Sequence, residues 1–169
     1  MVRHTPVCRG PVSSVAVRGR LPPPFKEATL YPLRTGAKRS RPLFASAAAE
    51  ALAHPFTEDM VHVASSLELI HSYSLVHDDM PCMDDDAERR GKPAVHIAFG
   101  EPAALLVGDA LLTEAFRILT HTDLEPSVQI RLVAELTDGA GHVGMIGGQA
   151  ADIGMGGAVN DVETLMRLH

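Results

Sequence analysis

Residues 57–86 read TEDMVHVASSLELIHSYSLVHDDMPCMDDD, a mostly apolar segment that ends in a cluster of carboxylates. Thr57 is a favourable N-cap, and the two acidic residues that follow it suit the first turn of a helix. Steps of three and four residues then connect Met60, Val63, Ala64, Leu67, Ile70, His71, Ser74 and Asp78. This period predicts a long helix with His71 and Asp78 on one face. We expect Pro81 to end or kink this helix.

The rest of the sequence also favours helices. Segments rich in Ala, Leu, Glu and Met alternate with Gly and Pro, and a regular series of short β-branched segments is absent. Residues 38–53 are predicted to be helical, and Pro102 and Pro126 suit the first positions of two further helices. Residues 84–93 are too charged and too irregular in sequence to pack as part of a core, which predicts a loop or a frayed helix end. Residues 139–157 contain eight glycines and are predicted to be helical. The sequence therefore predicts an all-α fold.

The composition excludes several classes of protein. Of the 169 residues, 46% are hydrophobic and 21% are charged, which suits one domain with a core. The 15 basic and 21 acidic residues give a formal net charge of −6, which argues against nucleic-acid binding through a basic surface. Charged residues or histidines interrupt every long apolar run, so no membrane span is predicted. Cys8 and Cys82 form no CxxC pair. We predict a soluble, cytoplasmic protein.

The first 25 residues differ from the rest of the chain. They contain four arginines, five prolines and no acidic residue, and they show no helical period. Such a segment cannot bury enough apolar surface to offset the entropy of ordering it. We therefore expect residues 1–25 to be a disordered or leader segment and residues 26–169 to form the folded part. Organelle targeting through residues 1–25 is the alternative, because the segment is rich in arginine and lacks acids.

An acidic cluster closes the long helix predicted from Thr57. Asp78, Asp79, Asp84, Asp85 and Asp86 lie within nine positions. Carboxylates this close repel one another unless cations neutralise them, and Mg²⁺ binds one or two carboxylates together with substrate phosphates. The cluster therefore predicts a magnesium–diphosphate site, although a solvated acidic loop is also compatible with it. The spacing does not fit an EF-hand.

Two basic clusters bracket the acidic one. GAKRSRP occupies residues 36–42 and RRGKP occupies residues 89–93. Guanidinium groups bind phosphate oxygens directly, whereas carboxylates bind the same anion through a metal. The alternation of charge therefore indicates two phosphate groups that are held differently. Taken alone, GAKRSRP is also compatible with a solvated basic start of a helix, and it lacks the spacing of a P-loop.

The sequence resembles the trans-prenyl diphosphate synthase, or polyprenyl synthetase, family. Residues 72–96 are similar to its first aspartate-rich motif in the Asp-Asp-x4-Asp form, and residues 36–42 are similar to its Gly-Gly-Lys-Arg-x-Arg-Pro motif. GDALL at 108–112 and GGQAAD at 147–152 resemble later family segments. The resemblance extends over residues 27–169. It implies antiparallel helices around an apolar cavity, with isopentenyl diphosphate joined head to tail to an allylic diphosphate and Mg²⁺ as the cofactor.

The resemblance also implies roles for individual residues. It makes Asp78 and Asp84 the principal Mg²⁺ ligands, with Asp79 beside them in the same catalytic cluster. It makes Arg89 a contact of the allylic diphosphate. It assigns the isopentenyl diphosphate to Lys38, Arg41, His71 and Arg90. Without the resemblance, a single histidine in an apolar stripe such as that of His71 is more often a hydrogen-bonded core residue.

Two positions before the acidic cluster are expected to set the length of the product. Tyr73 and Ser74 are the fifth and fourth residues before Asp78. A bulky Tyr73 would block a long chain. Together with the two-residue insertion Pro81-Cys82, it favours farnesyl over geranylgeranyl diphosphate within the family.

The C-terminal side departs from the family pattern. The resemblance places Gln149 and Asp152 on a cavity helix near the reacting diphosphate. The family's second aspartate-rich motif does not occur before His169, so the helical fold is expected to be incomplete at its C-terminus and activity of this chain alone is not predicted.

Three functions stay open at this point. The favoured one is the N-terminal part of a prenyltransferase, expected to be a homodimer. The others are a non-catalytic accessory subunit of a prenyl diphosphate synthase and, less favoured, a fragment of a class I terpene cyclase. A cyclase needs no second diphosphate pocket, so the two basic clusters count against it, whereas the intact metal motif counts against a purely structural subunit.

Overall fold

The computed structural model describes Val12, residues 21–34 and residues 39–155 of the chain. The elements are α1 Pro23–Arg34, α2 Ser40–Ala51, α3 Glu58–Asp78, β1 Glu88–Arg89, β2 Lys92–Pro93, α4 Val95–Phe99, α5 Glu101–Leu119, α6 Pro126–Ala140 and α7 Met145–Asp152. Apart from the short hairpin, the regular structure of this part of the chain is helical, and the all-α prediction is confirmed. None of its helices combines the length and apolar character needed to cross a membrane.

Helix α3 begins and ends where the sequence predicts. The Thr57 side chain accepts a hydrogen bond from the backbone N–H of Met60 at 3.4 Å. Glu58 and Asp59 occupy the first turn, where they stabilise the helix dipole. The helix ends at Asp78, three residues before the next proline.

Packing of α3 against α5 forms the core of the first compact unit, which extends to Leu124. The fully buried residues of the two helices are Ala64, Ser65, Leu69, Ala104, Val107, Leu111, Ala115 and Ile118. Several of these residues are small, which allows the two helix backbones to approach closely. The shorter helices α1, α2 and α4 pack around this pair.

The C-terminal end of α3 is fixed on α5 by His77. A Cβ atom on Gly108 would overlap the His77 ring, so glycine is needed at this crossing. The Nε2 atom of His77 lies 3.1 Å from the carbonyl oxygen of Leu105. A carbonyl only accepts hydrogen bonds, so Nε2 carries the proton and donates it. This contact holds the residue immediately before Asp78.

The stripe predicted on α3 lies mostly on the half-buried face of the helix. Ala64 and Ile70 are buried, whereas Met60, Val63, Leu67, His71, Ser74 and Asp78 are half-buried. The deeply buried positions outside this stripe are Glu68, which borders it one turn before His71, and Leu69 and Tyr73 on the opposite side of the helix. One side of α3 is therefore committed to the core, and the other carries both His71 and Asp78.

Residues 84–93 contain a hairpin in place of the predicted loop or frayed helix end. Strands β1 and β2 are antiparallel, with Glu88 opposite Pro93. Arg90 and Gly91 form the turn with φ values of 55° and 73°, the left-handed geometry that a two-residue hairpin loop requires. The Tyr31 hydroxyl donates to the carbonyl oxygen of Pro93 at 2.9 Å, which ties the hairpin to α1.

Helix α1 begins at Pro23, three residues before the predicted domain boundary at residue 26. Pro23 and Pro24 fit its first turn, because N–H groups there have no partner within the helix. The Thr29 hydroxyl donates to the carbonyl oxygen of Phe25 at 2.8 Å. Residues 1–11 and 13–20 lie outside the described residues, so the leader segment stays a prediction.

The second unit begins at Glu125. The prediction of one helix over residues 139–157 is wrong. Helix α6 ends at Ala140, α7 covers only Met145–Asp152, and residues 153–155 form a turn. Gly144 lies against the carbonyl oxygens of Asp138 and Gly139, where a side chain would not fit. The glycines therefore produce a tight connection between two helices and not one continuous helix.

We predict that Leu111→Ala destabilises the chain by about 2–5 kcal/mol, because Leu111 is 0% exposed at the contact of α5 with α3. Leu106→Ala on the same helix is the matched control, since Leu106 is 55% exposed and its truncation is expected to cost less than about 0.5 kcal/mol. Urea unfolding followed by circular dichroism measures both free energies of unfolding. Equal losses in the two variants would contradict the α3–α5 core.

Candidate functional site

The C-terminal end of α3 carries two carboxylates that the described contacts do not neutralise directly. The backbone N–H of Asp84 donates to the carbonyl oxygen of Asp78 at 2.9 Å, so the chain turns back immediately after the helix. Asp78 is half-buried and Asp84 is exposed. Burial raises the pKa of Asp78, and the negative charges of Asp84 and Asp79 raise it further. Negative charge at a helix C-terminus is also unfavourable. A cation would relieve all of these costs.

Asp79 has a different environment, because Arg89 neutralises it. The Nε atom of Arg89 donates to Oδ1 of Asp79 at 2.8 Å, and Nη2 donates to the same oxygen. Arg89 Nη2 also donates to Asp86 Oδ2 at 2.9 Å. Asp79 is 2% exposed, and the bond to its carboxylate raises the pKa of Arg89. The structure thus separates Asp79 from the pair Asp78 and Asp84.

A basic cluster lies along the same half-buried face of α3, around His71. A guanidinium nitrogen of Arg90 lies 3.5 Å from His71 Nε2. Burial, and then the positive charges of Arg41, Arg90 and Arg89, lower the His71 pKa from 6.5 to about 4. Because a guanidinium can only donate, His71 Nε2 is the acceptor and Nδ1 carries the proton of the neutral ring.

The structure therefore brings together His71, Arg41 and Arg90, three of the four residues assigned to the isopentenyl diphosphate. Lys38, the fourth, lies outside the described residues. Helix α3 carries His71 seven residues before Asp78, and the hairpin carries Arg89 and Arg90. His71 and Asp78 thus lie on one helix, whereas the arginines lie on α2 and on the hairpin.

Sequence reasoning missed the pair formed by Arg39 and Glu68. Arg39 Nη1 donates to Glu68 Oε1 at 3.0 Å, and Glu68 is 1% exposed. The signal was present in the sequence, since Glu68 is an isolated acid among apolar and hydroxyl residues at the centre of the predicted helix. A buried carboxylate needs a partner, and the nearby arginine-rich motif offered candidates.

The two residues expected to set product length follow His71 and precede Asp78 in the sequence of α3, but Tyr73 faces the core. Tyr73 is 5% exposed, and its ring stands edge-on to His77 with centroids 5.9 Å apart. Its hydroxyl has no hydrogen-bond partner within the described part of the chain. Burial and the charge of Asp78 raise the Tyr73 pKa. Ser74 is half-buried and donates to the carbonyl oxygen of His71 at 3.1 Å.

Gln149 and Asp152 lie on α7 in the second unit. Gln149 is half-buried and Asp152 is exposed. Helix α7 starts after Gly144, and a side chain at Gly147 would meet the carbonyl oxygen of His142. Their predicted role near the reacting diphosphate stays a prediction.

The side chains present suit Mg²⁺ that is shared with a phosphate ligand. Within residues 21–34 and 39–155, no three His, Cys, Asp or Glu side chains are grouped so that they could hold a metal ion by themselves. Asp78 and Asp84 offer hard oxygen atoms and mutually unfavourable charges. Mg²⁺ commonly binds one or two carboxylates and completes its shell with water and substrate phosphates. The donor set fits that pattern.

Comparison with known proteins identifies the family to which this chain belongs. The family model described as polyprenyl synthetase matches residues 22–168. The chain belongs to the polyprenyl synthetase family. The match covers the acidic cluster and both basic clusters, so the resemblance inferred from residues 36–42 and 72–96 is confirmed.

Individual polyprenyl synthetases are similar to this chain over about half of their length. Farnesyl diphosphate synthase of Bacillus subtilis is 45% identical over 152 residues, which are 88% of this chain and 51% of that protein. The chloroplastic geranylgeranyl pyrophosphate synthase of Capsicum annuum is 43% identical over 146 residues, which are 85% of this chain and 39% of that protein. The crystal structure of an FPP/GFPP synthase from Zymomonas mobilis matches with a TM-score of 0.84 at 39% identity, covering 93% of this chain and 58% of that one.

We predict that His71 is neutral at pH 7 and takes up its proton near pH 4. The folded state resists this protonation, whereas the unfolded chain accepts the proton near pH 6.5. His71 therefore lowers the stability of the folded chain as the pH falls from about 6.5 towards 4. The pKa is measured by NMR titration of the imidazole nitrogens.

Arg90→Gln is expected to raise the His71 pKa, because it removes one of the positive charges that lower it. Lys26→Gln is the matched control, since it removes a positive charge from an exposed position on α1 and is expected to leave the titration unchanged. A His71 pKa near 6.5 in the unmodified chain, or equal effects of the two variants, would contradict the basic cluster.

Proposed function

We propose that the chain supplies a substrate-binding part of a Mg²⁺-dependent prenyltransferase, which joins isopentenyl diphosphate head to tail to an allylic diphosphate. The observation that carries this proposal is the spacing of two groups on α3, where His71, which lies beside Arg90 of the hairpin, precedes the carboxylate of Asp78 by two turns. One anion held by basic groups and another held through a cation correspond to two diphosphates. The names of the relatives, farnesyl and geranylgeranyl diphosphate synthases, support the substrate class.

Asp78 and Asp84 are the proposed Mg²⁺ ligands. Burial raises the pKa of Asp78, and the negative charge of Asp84 raises it further, so a cation at this position would be favourable. When bound, Mg²⁺ supplies positive charge that stabilises the diphosphate leaving group. Asp79 contributes indirectly, since its carboxylate holds Arg89 beside the pair.

The isopentenyl diphosphate is assigned to Arg41, His71 and Arg90, together with Lys38. Arginine side chains offer paired donors to phosphate oxygens. The neutral His71 ring accepts from Arg90 at Nε2 and donates through Nδ1. A neutral donor among arginines binds an anion without adding a further repelling charge to the cluster.

Arg89 is proposed to contact the allylic diphosphate while it remains bonded to Asp79. Its Nε and Nη2 atoms donate to carboxylates, and a guanidinium has further donors on Nη1. A donor that is already oriented by a buried carboxylate stabilises the charge that develops when the allylic carbon–oxygen bond breaks. The isopentenyl double bond then attacks the allylic cation, and the new cation loses a proton.

Farnesyl diphosphate is the product that we favour. The Tyr73 ring is buried one turn before Asp78 and packs against His77, so it cannot swing aside easily. Relatives with both farnesyl and geranylgeranyl names match the chain, so the proposed product length depends on Tyr73 and its neighbour Ser74. The cytoplasmic location and the homodimer stay predictions.

We predict that Asp78→Asn or Asp84→Asn reduces the rate of Mg²⁺-dependent diphosphate release from dimethylallyl diphosphate and isopentenyl diphosphate by about 10²–10³-fold. Each variant removes one proposed ligand and one negative charge. Asp85→Asn is the matched control, because it makes the same change in the same cluster at an exposed residue with φ of 54°, a geometry that asparagine tolerates.

The pattern of release also separates the alternatives. Diphosphate release from the allylic substrate alone would favour a terpene cyclase fragment. No release by a chain that is folded and helical would contradict a catalytic role for it and favour the accessory subunit. An equal loss of rate in Asp85→Asn would contradict the assignment of Asp78 and Asp84.

We predict that Tyr73→Ala shifts the product from farnesyl to longer prenyl diphosphates, because it removes the buried ring that precedes Asp78. Tyr73→Phe keeps the ring and removes only the hydroxyl, which has no hydrogen-bond partner among the described residues, so its product is expected to be unchanged. Chromatography and mass spectrometry of the dephosphorylated products measure the chain length. An unchanged product in Tyr73→Ala would refute the role of this position.

A further inference from the structure

The pair formed by Arg39 and Glu68 connects three helices at the start of the basic cluster. Glu68 is buried at the middle of α3 and accepts a hydrogen bond from Arg39 Nη1 at 3.0 Å. The Nη2 atom of Arg39 donates to the carbonyl oxygen of Leu33, in the last turn of α1. Arg39 itself is the N-cap of α2. One guanidinium therefore joins the end of α1, the start of α2 and the centre of α3.

The backbone at Arg39 is in a conformation that requires support. Its φ of 52° and ψ of 35° lie in the left-handed region, which is unfavourable for a residue with a Cβ atom. The Arg39 side chain makes no capping hydrogen bond to the N-terminus of α2. The hydrogen bonds to Glu68 and Leu33 hold the Arg39 side chain and so oppose a return to a more ordinary conformation.

This pair adjoins the residues proposed to bind isopentenyl diphosphate. Glu68 precedes His71 by three residues on α3, about one helical turn, and Arg39 precedes Arg41 by two residues at the start of α2. Arg90 is coupled electrostatically to Glu68, Arg39 and Arg41. The buried carboxylate of Glu68 thus lies among the cations whose mutual repulsion would otherwise separate α2, α3 and the hairpin.

We propose that Arg39 and Glu68 are positioning residues, whose ion pair keeps Arg41 near His71 and Arg90 in the geometry that binds isopentenyl diphosphate. The inference rests on the proposed function, and it deepens that function by naming two residues that act through others. Neither residue needs to touch the substrate, because Arg39 is already bonded to Glu68 and Leu33.

A purely electrostatic role and a positioning role of Glu68 predict opposite effects of Glu68→Gln on the binding of isopentenyl diphosphate. Glu68→Gln removes a negative charge from a basic cluster, so a purely electrostatic role predicts tighter binding of an anion. If Glu68 acts by positioning, the same variant weakens binding, because the Arg39 side chain and the segment that carries Arg41 lose their anchor. The sign of the change therefore decides between the two roles.

Arg39→Lys provides the second variant. Lysine keeps the positive charge but has one ammonium group, which cannot reproduce the two separate contacts of the guanidinium with Glu68 and Leu33. A role of charge alone predicts unchanged binding in this variant, whereas positioning predicts weaker binding. If Glu68→Gln does not fold, Arg39→Lys alone distinguishes the positioning role from a role of charge alone.

The experiment is calorimetric titration of the full chain with isopentenyl diphosphate, and separately with dimethylallyl diphosphate and Mg²⁺. We expect both variants to weaken isopentenyl diphosphate binding by about tenfold, the scale of one charge-assisted hydrogen bond that orders a site. The dissociation constant for dimethylallyl diphosphate is expected to change less than about twofold. A merely structural defect would weaken both ligands together.

Glu114→Gln is the matched control. It breaks the ion pair of Glu114 with Arg117, which lies within one helix, α5, of the same unit, and it makes the same chemical change as Glu68→Gln. We expect it to leave both dissociation constants unchanged. Circular dichroism establishes that each variant is folded before it is titrated.

The positioning role and the proposed function would be refuted by different results. If the unmodified chain binds isopentenyl diphosphate and the folded variants bind it equally well or more tightly, the positioning role is refuted and the proposed function stands. Parallel loss of both ligands would also refute it. If the unmodified chain binds neither diphosphate, the proposed function is refuted, together with the positioning role that rests on it.

Discussion

The packing of α3 against α5 is the constraint on which the other features of the first unit depend. Small and fully buried residues on both helices allow a close approach, and the side of α3 that makes this contact has no freedom to rotate. The half-buried side is fixed as a consequence. His71 and Asp78 lie on that side, so the core fixes the direction that both side chains face, and the helical rise sets the two turns between them.

Charge is distributed unevenly around this rigid helix. Glu68 and Asp79 are buried, and each has an arginine partner, Arg39 and Arg89. Buried charges are tolerated when they are paired in this way, whereas Asp78 and Asp84 have no ion-pair partner among residues 21–34 and 39–155. The two kinds of carboxylate differ in their surroundings, since one kind orients cationic side chains and the other is the pair that we propose as Mg²⁺ ligands.

The helices were predictable from the sequence because their signals are local. The N-cap at Thr57 and the three- and four-residue period specify α3, and proline marks the starts of α5 and α6. The hairpin was not predictable, because the left-handed turn at Arg90 depends partly on the distant bond from Tyr31 to Pro93. The pair of Arg39 with Glu68 joins residues 29 positions apart, and no periodicity in the sequence specifies such a contact. The family motifs identified the candidate site, whereas its internal ion pairs required the structure.

The contact between His77 and Gly108 gives the candidate site a mechanical connection to α5. The imidazole packs on the backbone at Gly108, which has no side chain, and donates a hydrogen bond to the carbonyl oxygen of Leu105. It therefore fixes the end of α3 to α5. Sliding of α5 along its axis would be transmitted through His77 to the next residue, Asp78. A load on the far face of α5 would in this way reach the carboxylates without any change in the loop that follows them.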